Sequence, residues 1–224
     1  MQSRHVQLDP RATQAQVENA VEELSSDPGV HGVFVQLPLP PHLDRDAIFD
    51  RISVEKDVDG LGSFSLGKLA RGDTSAAPAT PRGITGMLRE HGISLRDARS
   101  VIIGSSVEIA LSLSLLLMHE SNLGSVLLTQ PDVDNLTGIT READIVVSCA
   151  ERPAFIRAEH LRAGATVVDA GYNRTETGVT GDVDVASVMG VAGAIVPMPG
   201  GIGPATIAIL LEKTWHCARR SAGL

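Results

Sequence analysis

The sequence predicts an α/β protein in which a doubly wound parallel sheet follows a smaller α/β region. Three observations predict it. Five short apolar segments recur between residues 98 and 196, separated by helical or loop stretches. The first of them, Ser100-Val101-Ile102-Ile103-Gly104, is continuously apolar, as a strand covered on both faces requires. Ahead of them the chain reads helix, strand, helix on a smaller scale.

In chain order, Thr13 to Val17 opens a helix whose apolar positions Val17, Ala20, Val21 and Leu24 share one face, and Asp27-Pro28-Gly29 ends it. Val33-Phe34-Val35 reads as a short buried strand stopped by Pro38, Pro40 and Pro41, because proline cannot donate to a ladder. Asp44 to Ile52 reads as a short helix capped by Asp44. A connecting stretch punctuated by Gly60, Gly62, Gly67 and Gly72 follows, and Thr80-Pro81 starts a helix ending near His91. Beyond Ser100–Gly104 a helix is expected from Glu108 to Glu120. The next strands are Ser125–Leu128, Ala143–Val147, Ala165–Asp169 and Gly193–Val196, and Gly203-Pro204 launches a last helix to Arg219-Arg220.

Composition narrows the function. Of 224 residues, 43% are apolar and 21% charged, the balance of a folded globular chain. A net charge of −8 argues against a nucleic-acid partner but leaves room for an anionic small ligand met by a local cluster. The longest apolar run, Ile109 to Met118, is broken by Ser112 and Ser114 and is too short to span a bilayer. Residues 1–5 open no secretory signal, and Cys149 and Cys217 make no metal spacing, so a reducing cytoplasm is the expected setting and no metal site is expected. Only Lys56, Lys68 and Lys213 are lysines, so a lysine-dependent reaction has few candidates.

Gly104-Ser105-Ser106 stands where a strand runs into a helix, the place at which a Rossmann-like domain holds a pyrophosphate against small residues and helix amides. The continuation Val107-Glu108-Ile109-Ala110-Leu111-Ser112 lacks the further glycines, and no arginine stands there to meet a 2′-phosphate. Glu108 suits the helix dipole but competes with a phosphate for the same positive end. Two readings stay open: a dinucleotide loop, or a plain turn in a sheet that keeps its fold without a cofactor.

Three rigid segments frame this region: Val35-Gln36-Leu37-Pro38-Leu39-Pro40, Lys56-Asp57-Val58-Asp59-Gly60, and Pro197-Met198-Pro199-Gly200-Gly201-Ile202-Gly203-Pro204-Ala205-Thr206. Together with Thr80-Pro81-Arg82-Gly83, Asp169 to Asn173 and Gly181-Asp182-Val183, they closely resemble the bifunctional methylenetetrahydrofolate dehydrogenase/methenyltetrahydrofolate cyclohydrolase family over residues 5–218.

The resemblance implies an NADP-dependent oxidation of 5,10-methylenetetrahydrofolate, followed by hydrolysis of the methenyl product to 10-formyltetrahydrofolate in one cleft. It implies that Gln36 tunes a catalytic lysine and that Asp59 grips the pterin ring. It places Leu37, Pro38, Pro199, Gly200 and Gly201 on the folate side, and Gly104, Ser105, Ser106 and Thr206 on the cofactor side. It also implies a domain division of 1–80, 81–203 and 204–224, the last a helix packing back on the first part, and a homodimer.

A carboxylate such as Asp59 can accept a pair of donors from a pterin edge, and Gln36 at a strand end would project into a cleft. The bland alternatives are that Asp59 caps a turn, that Gln36 is a buried polar residue met by backbone, and that Gly200 to Gly203 only shape a loop. For Lys56 the expected role is pairing with a neighbouring carboxylate.

The chain also departs from the family. The Tyr-x-x-x-Lys motif of an early helix has no counterpart, and no lysine precedes Lys56. Ala110, Leu111 and Ser112 replace the loop's glycine, arginine position and proline, Glu151 stands where a glycine is usual, and Ala79 replaces a frequent cysteine. The expectation is a folate side kept and a cofactor side eroded, with NADP held weakly. Three explanations stand beside one another: a working enzyme whose start is misplaced, a diverged member that binds a folate-like ligand or serves as a partner subunit, and an unrelated Rossmann-type oxidoreductase.

Overall fold

A computed structural model describes residues 1–121, 124–176 and 178–224. The first helix, α1 (Gln14–Ser26), starts at Thr13, whose hydroxyl accepts from Gln16 N while the Gln16 side chain accepts from Thr13 N, a complete capping box. The second, α2 (Arg45–Phe49), is capped by Asp44, which accepts from Asp46 N and Ala47 N. Val17 and Val21 of α1, Ile48 of α2, Ile52 and Val33 form a small apolar core between these elements.

The expected strand Val33–Val35 does not form. Val33 makes a single parallel bridge to Asp57, Phe34 is exposed, and the two prolines at 40 and 41 close off further pairing. The bridge nonetheless lays the 33–36 segment beside the 56–59 turn, running in the same direction.

The stretch expected to be connecting contains a helix, α3 (Ser63–Ala70), with Gly67 in its interior. Asp50 seeds it by accepting from Ser63 N and Ser63 Oγ, and Leu69 buries against Leu116 and Ala77. A glycine costs a helix only about 1 kcal/mol relative to alanine, which this packing outweighs.

From there the sequence reading holds. Helix α4 (Ala79–Glu90) is followed by β1 (Arg99–Ile103), α5 (Ser112–Glu120), β2 (Ser125–Thr129), α6 (Leu136–Thr140), β3 (Ile145–Ser148) and β4 (Thr166–Asp169). A hairpin of β5 (Asn173–Thr175) and β6 (Gly178–Thr180) comes next, then α7 (Val185–Val188), β7 (Ala194–Val196) and α8 (Ile202–Ser221). The five long-range strands form one parallel sheet ordered β2-β1-β3-β4-β7. The helix expected from Glu108 begins instead as a π turn at Val107–Leu111 before α5. Ser106 Oγ accepts from Ala110 N, four residues on, and Ser112 Oγ donates to Val107 O, which widens the first turn.

Strands β1, β3 and β4 are buried, and alternate residues feed two cores. Ile102, Ile145, Val147 and Val168 pack under α4, α5 and the start of α8. Val101, Ile103, Val146 and Val167 pack under α6 and α7. The sheet is covered on both faces, as a parallel sheet must be. Among the described residues no helix is long and apolar enough to cross a membrane.

Candidate functional site

The strand order reverses between β1 and β3, so the crevice past their carboxyl ends is where an open parallel sheet admits a ligand. Gly104 ends β1 there with φ +150°, and a Cβ on it would lie 2.5 Å from Cys149 O and 2.7 Å from Cys149 Sγ, at the end of β3. Only glycine lets the two strand ends approach this closely. Burial pushes the Cys149 thiol up to about 12, so it stays protonated and serves as packing.

The loop after β3 is held by Asp182, which accepts from Ser148 Oγ (2.8 Å), Ala150 N (2.7 Å), Arg152 N (2.9 Å) and Asn173 Nδ2 (2.9 Å). Asp169 in turn accepts from Gly171 N, Asp182 N and Val183 N. These two buried carboxylates splice the ends of β3 and β4 to the β5–β6 hairpin. The sequence reading quoted both motifs without giving either aspartate this role.

The second wall is the turn 56–60. Asp57 is its structural member: Oδ1 accepts from Gly60 N at 2.8 Å, and Oδ2 from Gly62 N at 3.1 Å and Ser65 Oγ at 2.6 Å. Lys56, expected to meet a carboxylate, instead donates from Nζ to the backbone carbonyl of Asp27 at 2.7 Å. It thereby ties off the end of α1.

Asp59 differs from Asp57. Its backbone carbonyl accepts from Ala79 N at 3.1 Å, anchoring the start of α4. Burial pushes its carboxyl up to about 6, against the partly offsetting pull of the Lys213 ammonium.

Lys213 was missed by the sequence reading as a member of this group. It sits on the buried face of α8, 8% exposed, and Nζ donates to Ala77 O at 3.0 Å. A Cβ at Gly60, which has φ +78°, would lie 3.0 Å from that nitrogen. Burial lowers its amine to about 8. The available signal was a lysine in register with Ile202 and Cys217 on an otherwise apolar stripe.

The third segment joins these. Gly200, at φ +102°, and Gly201 turn the chain from β7 into α8, and Leu37-Pro38 and Met198-Pro199 are both cis. Thr206 Oγ1 donates to Ile202 O and to Thr80 Oγ1 at 3.2 Å, so α8 and α4 meet beside the point where Asp59 holds α4. Thr206, expected on the cofactor side, makes its hydrogen bonds within this α4–α8 contact. Gln36 is exposed, with Nε2 donating to Leu37 O at 2.9 Å, which corrects the reading of a buried glutamine.

The glycine loop carries its own surprise. Ser105 is open to solvent, but the Glu108 carboxylate is mostly buried and ion-paired with Arg45 of α2. Glu108 and Gly60 line one crevice of only about 20 Å³ between the two halves. The backbone at Gly104–Ser106 suits a phosphate, while the charge beside it is negative and already paired.

Comparison with known proteins gives a consistent family. The model of the tetrahydrofolate dehydrogenase/cyclohydrolase catalytic domain matches residues 1–59, and that of its NAD(P)-binding domain matches residues 78–222. The bifunctional protein FolD of Dechloromonas aromatica is 40% identical over 225 residues, covering 100% of this chain and 78% of that protein.

Among solved structures, the bifunctional methylenetetrahydrofolate dehydrogenase/cyclohydrolase of Campylobacter jejuni is 35% identical. It aligns with a TM-score of 0.89 over 95% of this chain and 76% of that one. The Trypanosoma brucei dehydrogenase-cyclohydrolase, solved with NADP cofactor and inhibitor, is 32% identical with a TM-score of 0.88 over 95% and 75%.

Proposed function

Because the chain belongs to the tetrahydrofolate dehydrogenase/cyclohydrolase family, we propose that it acts on a tetrahydrofolate derivative in one-carbon metabolism, with Asp59 as the group that meets the pterin. One observation carries this reading: a half-buried carboxyl raised to about 6 beside a lysine lowered to about 8, in a frame of three rigid turns. Structural turn aspartates look like Asp57, with both carboxyl oxygens met by two backbone N–H groups and the Ser65 hydroxyl. Asp59 is raised because burial outweighs the pull of Lys213 and of the Ala79 N–H.

A carboxyl near 6 suits the hydrolytic half of the family reaction. Water adds to the methenyl carbon, the C–N5 bond breaks, and one proton leaves. A group titrating near neutral pH can take that proton and release it to solvent. Asp59 and Lys213 are the two groups placed to share it. Gln36, Leu37 and Pro38, just past the Val33–Asp57 bridge, are assigned to the folate side together with Pro199, Gly200 and Gly201. The proposed division assigns residues 1–80 to the folate side, 81–203 to the cofactor side and 204–224 to the helix that ties them, in a cytoplasmic homodimer.

A second reading is favoured by the Arg45–Glu108 pair: this member keeps the folate side while holding NADP weakly. NADP, where bound, accepts the hydride in the family's dehydrogenase step. Gly104, Ser105 and Ser106 are the residues that would hold its phosphates. Glu108 puts a carboxylate in the first turn beside them, its charge taken up by Arg45 of α2, and the loop itself carries no arginine for the cofactor.

Calorimetric titrations separate the two. A folate ligand is expected to bind the wild type and to lose about tenfold or more in affinity in Asp59→Ala. Unchanged affinity would leave the turn purely structural. NADP is expected to bind weakly. A micromolar dissociation constant for NADP would remove the second reading and leave the full bifunctional activity.

A further inference from the structure

Asp57 and Asp59 are two residues apart, yet of the two only Asp57 borders a cavity of about 390 Å³ between α3, α4 and the second half of α8. Its charged lining is lopsided. Lys68, Arg82, Lys213, Arg219 and Arg220 line it together with His216, against the side-chain carboxylate of Asp57, with Leu224 at its edge. That carboxylate is already met by two backbone N–H groups and a hydroxyl. Two of the protein's three lysines stand here in a chain of net charge −8.

The cations are also poorly neutralised. Arg82 lies 3.7 Å from Glu212, and Lys68 lies 3.7 Å from Asp73, both at the outer limit of an ion pair. Arg219 stacks on Trp215 at 4.9 Å, and Arg220 donates to the sulfur of Cys217 at 3.2 Å, with no carboxylate partner for either among the described residues. Some arginines elsewhere find closer carboxylates, Arg51 reaching Glu18 at 2.8 Å and Arg99 reaching Glu142 at 2.9 Å, while the surface pairs of Arg4, Arg96 and Arg157 are as long as those in the cavity.

A basic last turn by itself complements the α8 dipole and needs no ligand. That argument covers Arg219 and Arg220. It does not cover Lys68, Arg82 and the buried Lys213, which arrive from α3, α4 and mid-α8 and turn to the same space. Guanidinium groups without carboxylate partners, beside a buried ammonium in a cavity, are the chemistry that captures phosphate oxygens.

We propose that this cavity is a binding site for a compact multivalent phosphate-class anion, separate from the Asp59 cleft and sharing with it only the Lys213–Asp57 wall. Bound there, an anion would hold Lys213 in its charged form and so act on Asp59 through the wall between them.

The test is a calorimetric titration of the whole chain with inorganic pyrophosphate at constant ionic strength, with ADP in a parallel arm. Saturable pyrophosphate binding is expected. The double variant Arg219→Gln/Arg220→Gln, whose changes sit on an exposed helix end, is expected to lose at least about tenfold in affinity. Arg99→Gln, remote on β1, is expected to bind as the wild type does. Tighter binding of pyrophosphate than of ADP identifies a free anion as the ligand, and the reverse identifies a nucleotide's phosphates. Absence of saturable binding by either probe, or a double variant within tenfold of Arg99→Gln, overturns the site. Circular dichroism of each variant checks that the helix is intact, and because no folate is present the result is independent of the Asp59 reading.

Discussion

Asp59 is costly to the fold it sits in. Its folded carboxyl titrates near 6, about two pH units above an ordinary aspartate. The folded state therefore binds a proton more tightly than the unfolded state between about pH 4 and 6. Stability contributed by the protonated form is present below pH 4 and is lost as pH rises to 6. Above 6 a constant penalty on the order of 2–3 kcal/mol remains, at roughly 1.4 kcal/mol per pH unit. Asp59→Asn carries no such charge. Its stability in urea is expected to approach that of the wild type near pH 4, to exceed it increasingly up to about pH 6, and to level off by pH 7. A difference that stays flat across that range would mean the carboxylate is solvated and the buried reading is wrong. A residue kept at a cost in stability is what a working site leaves behind. Asp57, two positions away, is instead held by two backbone N–H groups and the Ser65 hydroxyl.

At the scale of elements, the contact of α4 with α8 is set by small residues on one face and open on the other. A Cβ on Gly83 would lie 3.2 Å from Ala205 C and Thr206 N, both backbone, whereas one on Gly86 would meet nothing within 4 Å. Gly86→Ala is expected to stabilise by about 0.5–1 kcal/mol, the ordinary helix-propensity gain. Gly83→Ala, one turn earlier, must separate two helix backbones and is expected to destabilise by roughly 1–2 kcal/mol. Thermal melts of the two variants moving in the same direction would contradict this packing. The five sheet strands were legible from their apolar runs, α1 and α2 from the Thr13 and Asp44 caps, and α4 and α8 from the prolines in their first turns. Three features were not. Helix α3 hides behind Gly67 and is held by Asp50 and Leu116, partners distant in sequence. Val33–Val35 has strand composition but a single bridge, because a ladder needs a neighbour that composition does not reveal. The π turn follows from where Ser106 and Ser112 send their hydroxyls, which no periodicity encodes. In the candidate site, Asp59 and the glycine segments were readable as motifs. Lys213 and the Arg45–Glu108 pair were not, because each joins segments far apart in sequence.

At the scale of the whole molecule, α8 decides whether the two halves behave as one. It leaves the sheet at β7, seats Ile202 in the core under α4, and ends 20 residues later. Along the way Thr206 meets Thr80, Glu212 faces Arg82, Lys213 holds Ala77 O, and Thr214 packs against Gly32 of the first segment. A helix with its start in the sheet core and its middle tied to Ala77, Arg82 and Gly32 transmits unfolding between the two parts, so the chain is expected to unfold in one cooperative step. The single tryptophan, Trp215, lies on α8 and reports its state directly. In a urea titration its fluorescence and the far-ultraviolet circular dichroism should share one midpoint. Gly32 supplies the perturbation: a Cβ there would lie 2.6 Å from Val58 Cγ1 and 3.1 Å from Thr214 Oγ1. Gly32→Val therefore wedges the first segment off α8, at a cost of about 1–3 kcal/mol. Both probes should shift to lower urea together. If the variant lost ellipticity early while Trp215 kept its wild-type midpoint, α8 would belong to the sheet alone, and the wall shared by Asp57, Lys213 and Asp59 could not couple the halves.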